Sequence, residues 1–188
     1  SLKDMLATAA DAIGPLPAGK DGATSAADPG ELYDFVLERL RGYYADKGVP
    51  GAHFNAVAEL EPASLYDFDR RIDAIGIFAQ LPEAAALAAA NKRIGNILKK
   101  SESLTGSTIN AGLLHDPAEK DLVEALRKVG AAANPKFDAG DYQGALRECA
   151  SLKTPVDAFF DKVMVNAEDQ ALRNNRLALL VQLHTLMN

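Results

Sequence analysis

The sequence predicts an all-α fold, an irregular antiparallel bundle of about eight or nine helices, and three observations carry that expectation. Helix-start signals recur: "DPGE" (Asp28 to Glu31), "DPAE" (Asp116 to Glu119) and "TPVD" (Thr154 to Asp157) each set a capping residue, a proline and an acid in one order. Apolar residues return at spacings of three and four, the period of a helix with one buried face. Strand signals are scarce, because β-branched residues are scattered and alternating stretches are absent.

The elements follow in order. A first helix over 2–13 leads into 14–28, a segment rich in Gly, Pro, Ala and Asp that reads as a tether. Asp28 and Pro29 open a helix over 29–46. Its stripe of Leu32, Phe35, Val36, Leu40 and Tyr43 places Tyr43 in the core, and Tyr44, about 100° further round, is the exposed ring. A short helix over 51–60 precedes one over 65–80, opened by the box "SLYD" and striped by Phe68, Ile72, Ile75 and Phe78 or Ala79. A helix over 82–100 is followed by 101–115, which reads as a loop. The "DPAE" box opens 117–132, then come 141–152 and 155–165, the latter capped by Thr154. Asn166 with Asp169 restarts the chain into a final helix over 167–187.

At 188 residues and 48% apolar, the chain suits one domain with a sizeable core, and no apolar run of membrane-spanning length occurs. A net charge of −6 argues against a generally basic nucleic-acid coat but leaves room for a local patch. The single cysteine, Cys149, cannot form an intrachain disulfide; it fits a reducing compartment, so the expected location is cytoplasmic. No signal peptide is visible, and a chain that begins with Ser and stops inside a helical pattern is expected to be a piece of something longer.

Two motifs invite chemistry that their surroundings deny. "GPLPAGKD" (Gly14 to Asp21) approaches a phosphate-binding loop, but Asp21 stands where a hydroxyl must hold magnesium, no strand precedes it, and two prolines remove amide donors. "HD" at His115–Asp116 lacks convergent ligands, with His53 and His184 the only other histidines, and Asp116 is already explained as a helix cap. No catalytic centre and no metal site are predicted.

Positive charge is organised in one place. Between Glu83 and Glu102 there is no acid, while Lys92, Arg93, Lys99 and Lys100 crowd "ANKRIGNILKK". On a helical wheel Leu87, Ala90, Ile94, Ile97 and Leu98 share one face, and Lys92, Arg93, Asn96, Lys99 and Lys100 cover the other. Such a face is either merely solvated or a phosphate-contacting surface, in which Asn96 reaches a base or sugar. Arg70 and Arg71, interleaved with Asp67, Asp69 and Asp73, form an internal salt-bridge net or the edge of a binding surface, with Tyr44 a stacking candidate.

In the last helix, Arg176 falls inside the stripe of Leu172, Leu179 and Leu183, and Arg173 lies at its edge. An unpaired buried charge costs several kcal/mol or more, so both arginines are assigned to the scaffold. Asp169 is placed to pair with Arg173 at the i,i+4 spacing, and Asp157 or Asp161 is the expected partner of Arg176.

With these blocks in view the chain resembles a known family. "PVDAFFDKVMVNAEDQALRNNRLALL" (Pro155 to Leu180) resembles the C-terminal anticodon-binding domain of bacterial glycyl-tRNA synthetase beta subunits. "LYDFVLERLRGYY", "DFDRRIDAI", "AAALAAANKRIGNIL" and "FDAGDYQGAL" look like successive blocks of it, together covering most of 30–187. "QALR" (Gln170 to Arg173) is similar to the Asp-Ala-Leu-Arg motif that names such domains and that arginyl-tRNA synthetases share; here Gln170 takes the first position, with Asp169 just before it. The resemblance implies a helical bundle over 28–188 that docks the anticodon arm of glycine tRNA, with 1–27 the tail of a preceding beta-subunit domain. It implies that ATP and magnesium serve a separate catalytic alpha subunit, and that this piece holds no cofactor and no catalytic residue. The partners would be glycine tRNA, the remaining beta-subunit domains and the alpha subunit, without membrane or DNA. The alternative is a helical interaction module of the synthetase that makes no direct RNA readout.

Overall fold

The computed structural model describes residues 1–14, 28–101 and 108–187. Most of the segments read as loops, and nearly all of the phosphate-loop-like "GPLPAGKD", lie outside the described residues. The chain divides into two compact units, Ser1–Gly76 and Ile77–Asn188. Among the described residues the regular structure is helical throughout, in agreement with the predicted all-α class. No described helix is long and apolar enough to cross a membrane.

The first unit contains α1 (Leu2–Ile13), α2 (Pro29–Asp46), α3 (Gly51–Ala58) and most of α4 (Leu65–Phe78). Helix α1 packs on α2. The Lys3 ammonium sits 4.7 Å from the centroid of the Tyr33 ring and 2.6 Å from Glu61. The unit's core is small and aromatic: Tyr44, Phe54, Val57, Phe68 and Ile72. The Tyr44 and Phe68 rings stack at 5.6 Å, and those of Phe54 and Phe68 meet at 5.2 Å.

That core corrects the stripe expected on α2. The buried side of the helix runs through Tyr33, Leu37, Leu40 and Tyr44 at spacings of four, three and four. Leu32, Phe35 and Tyr43 are instead 39%, 54% and 51% exposed. Tyr44 can be buried because its hydroxyl donates to Asp69 Oδ1 at 2.8 Å. Burial first, and the Asp69 bond second, raise its phenol above the usual range. Tyr43 faces solvent with the Lys47 ammonium over its ring at 4.4 Å.

The second unit is built around α6 (Pro117–Asp138), against which α7 (Tyr142–Ala150), α8 (Lys153–Lys162) and α9 (Gln170–Met187) pack. Helix α5 (Ala84–Lys99) lies on α9 and α8, and a 3₁₀ turn over Ala111–Leu113 rests on α9. Leu87, Ile94, Leu122, Leu152, Phe159, Leu179, Leu180 and Leu183 are essentially inaccessible. Each such side chain contributes about 1.5–3 kcal/mol of transfer free energy. Cys149 belongs to this core, and burial pushes its thiol up to about 11.

Several helix ends differ from the sequence reading, and three have a physical reason in the structure. Helix α6 runs to Asp138 rather than stopping near 132, passing through Pro135. Pro135 and Ala131 are both exposed, so the carbonyl that loses its amide partner is hydrated instead. The helix is ended by Gly140 at φ 72°, where the Gly140 amide donates to Phe137 O and the Asp141 amide to Lys136 O. Only glycine takes this left-handed position without strain. Helix α8 begins at Lys153, with Leu152 in the cap position and no side-chain cap, so Thr154 is not its cap. Leu152 is fully buried, which draws the start earlier; Pro155 then falls in the first turn, where no amide donor is required. Helix α9 begins at Gln170, and its cap is Asp169, whose Oδ1 accepts from the amides of Ala171 and Leu172 at 2.7 and 3.1 Å. Asn166 has no part in starting it.

Candidate nucleic-acid interface

Helix α5 divides as its pattern predicts. Leu87 and Ile94 are buried, Ala90, Ile97 and Leu98 pack against the same core, and Lys92, Arg93, Asn96, Lys99 and Lys100 are exposed. None of Lys92, Lys99 and Lys100 forms an ion pair among the described residues. Elsewhere in the unit Lys128, Lys136 and Lys153 are paired with Glu124, Glu148 and Asp157, while Lys120 and Lys162 have no ion pair among the described residues. Among the described residues Lys92, Lys99 and Lys100 thus carry positive charge that no ion pair compensates, on a chain of net charge −6.

The face borders an open cleft of about 490 Å³. Lys92, Arg93, Asn96 and Lys100 line one side of it over an apolar patch at Ile97, and Asn166 also borders it. Lys92, Asn96 and Lys100 form one row along α5, four residues apart. Lys99 is exposed but lies off the cleft. The Arg93 guanidinium is held 4.2 Å from the centroid of the Phe160 ring on α8. Both Asn166 and Phe160 escape a reading of the sequence: the first looks like a helix cap, and the second is one half of an apolar pair.

The remaining candidates lie in the first unit. Tyr44 is in its core, so its expected place as an exposed stacking ring is corrected by the Asp69 hydrogen bond and the packing on Phe54 and Phe68. Arg71 donates through Nε to Asp67 Oδ2 at 3.0 Å, a half-buried internal pair. Arg70 lies 5.7 Å from the centroid of the Tyr66 ring.

The scaffold behind the cleft depends on Arg176, but not through the acids expected to bind it. Asp157 is taken by Lys153 at 2.7 Å, and Asp161 is exposed. Arg176 Nε instead donates to Glu119 Oε1 at 2.7 Å, and Nη1 donates to the Met164 carbonyl at 2.9 Å. Glu119 is fully buried, and its other oxygen accepts from the amides of His115 and Asp116, both at 2.8 Å. The capping-box acid of "DPAE" thus does its local work with one oxygen and leaves the second for α9. Arg173 likewise departs from expectation. Asp169 spends its carboxylate on capping, and Arg173 Nη2 donates to Gln170 Oε1 at 2.6 Å, within the "QALR" element. Beside it the buried Asn175 clamps Asn110, accepting from its amide at 2.7 Å and donating to its carbonyl at 3.1 Å.

Comparison with known proteins places this architecture. The chain is 58% identical over 178 residues, 95% of its length, to the glycine–tRNA ligase beta subunit of Xanthomonas campestris pv. campestris strain 8004, covering 25% of that protein. It is 59% identical over 153 residues, 81% of its length, to that of Xylella fastidiosa strain M12, covering 21% of it. The Methylobacillus flagellatus counterpart is 54% identical over 155 residues, 82% of the chain, of which 22% is covered. The chain thus spans about a quarter of the relatives it matches. Residues 87–188 match the family described as the DALR anticodon binding domain. That segment runs from the first turn of α5 through α9 and contains the basic face, the cleft, the Glu119–Arg176 pair and "QALR". The chain belongs to the DALR anticodon binding domain family.

Proposed function

We propose that the chain is the tRNA anticodon-arm binding domain of a glycine–tRNA ligase beta subunit, holding glycine tRNA while a separate catalytic subunit carries out ATP-dependent glycylation. The observation that carries this reading is the uncompensated basic face of α5, set inside the family segment and bordering a cleft. Lysine and arginine contacts to phosphate supply affinity and orientation, and they act locally even where the whole protein is acidic. No metal or nucleotide is assigned to this chain; ATP and magnesium belong to the catalytic partner in this proposal.

The test is charge reversal at two exposed positions, Lys99→Glu and Lys100→Glu together. Binding to a glycine-tRNA anticodon stem-loop is measured across a salt series. The expected result is weaker binding and a log–log salt slope shallower by roughly one unit per lost phosphate contact. Unchanged affinity and slope would remove α5 from the interface.

A further inference from the structure

Resting on the RNA-binding reading, we propose that the cleft beside α5 receives one unpaired base, and that Asn166 reads its edge together with Asn96. Four other asparagines of the second unit spend their side-chain amides inside the chain. Asn91 meets His184, Asn110 accepts from Gly112, Asn174 accepts from Gln170, and Asn175 clamps Asn110. Asn96, Asn134 and Asn166 have no side-chain hydrogen-bond partner among the described residues, and of these Asn96 and Asn166 border the same cleft. An asparagine amide offers a donor and an acceptor side by side, the pattern that pairs with a base edge.

The surroundings suit a nucleotide. Lys92 and Lys100 flank Asn96 one helical turn to either side, about 12 Å apart along the axis. A backbone held by both therefore presents a base between them. The Phe160 ring holds the Arg93 guanidinium, 4.2 Å from its centroid, at the edge of the cleft, where an arginine can stack on a base. A volume of about 490 Å³ is within the range of small-ligand sites, which run from about 300 to 1,000 Å³.

Asn166 is also held in place. Between α8 and α9 the chain alternates, with Val163 and Val165 buried and Met164 and Asn166 exposed. The Arg176 bond to the Met164 carbonyl fixes this segment two residues before Asn166. A reading group fixed by its supports costs less ordering on binding than one on a free loop.

The experiment titrates the full chain and its Asn166→Ala variant with the glycine-tRNA anticodon stem-loop and with loops in which each anticodon base is replaced in turn. Melting temperatures are recorded as a folding control. Since Asn166 is exposed and makes no internal bond, the variant should melt as the parent does. The expected result is a roughly five- to 150-fold loss of affinity for the native loop, with discrimination lost at one anticodon position and the salt slope unchanged. Discrimination retained in full by the variant overturns the proposal while leaving α5 as an RNA-binding face. Parent binding that is equal for all loops overturns it as well and reduces the site to a phosphate platform. Absence of parent binding even at low salt overturns both this proposal and the reading on which it rests.

Discussion

Glu119 is a carboxylate with no exposed surface, and its occupancy is complete only while Arg176 is present: two backbone amides satisfy one oxygen and a guanidinium the other. Removing one partner of a buried pair strands the other charge, at a cost of about 3–5 kcal/mol. Arg176→Ala is therefore expected to lower the melting temperature by about 10 °C, read by calorimetry or circular dichroism. A shift under about 2 °C would contradict the burial argument. The same substitution frees the Met164 carbonyl and loosens the segment before Asn166, but Arg176 itself is placed in the scaffold and not on the RNA, so RNA affinity corrected for folded fraction should fall less than stability does. At this scale the sequence was legible in kind but not in partner. That Arg176 needed an acid followed from its place among leucines. Which acid could not follow, since Glu119 lies 57 residues away and already had a local explanation in its capping box.

At the scale of elements, helices were legible wherever pattern and punctuation agreed. Helix α5 has one apolar face, one basic face and no competing signal, and it divides as predicted. Helix α2 has apolar residues on two sides, and the periodicity admitted a stripe rotated by about 100° from the real one. The decision fell to Asp69, whose carboxylate makes the burial of a tyrosine hydroxyl affordable, and a distant partner leaves no trace in the local pattern. Proline misled the reading at Pro155, which suggested a cap at Thr154 when it merely falls in a first turn, and α6 runs through Pro135 past the end expected near 132. The true end of α6 lies at Gly140, where φ is 72°. Gly140→Ala is expected to destabilise the second unit by about 1–2 kcal/mol, measured by denaturant melts. An unchanged midpoint would show that the turn relaxes to another geometry.

On the scale of the molecule there are two cores of unequal size. The first unit relies on Tyr44, Phe54, Val57, Phe68 and Ile72, whereas the second gathers leucines, valines and Phe159 from α6 and the four helices around it. Stability is not uniform across such a chain, and small cores open at lower free energy than large ones. Native-state hydrogen exchange should therefore show the amides of α2 to α4 exchanging before those of α6 and α9. Equal protection throughout would mean that the chain opens as one cooperative body. The cleft sits in the second unit, so the surface proposed to read RNA stands on the more resistant of the two cores. No periodicity forecasts that placement. The basic row was visible in the sequence, but the cleft depends on a turn contributed some 70 residues later, and the route of that turn is decided by buried valines and one arginine.

The pairing of Glu119 with Arg176 also has a bearing on how such a chain can vary. Losing either charge alone leaves the other stranded, while losing both to apolar residues of matching volume is often neutral or stabilising. The two positions are thus separated from their viable alternatives by a step that neither can take by itself. In a randomised library selected for folding, survivors should keep both residues or exchange both, so that the positions are inherited as one character although two whole helices, α7 and α8, lie in the chain between them.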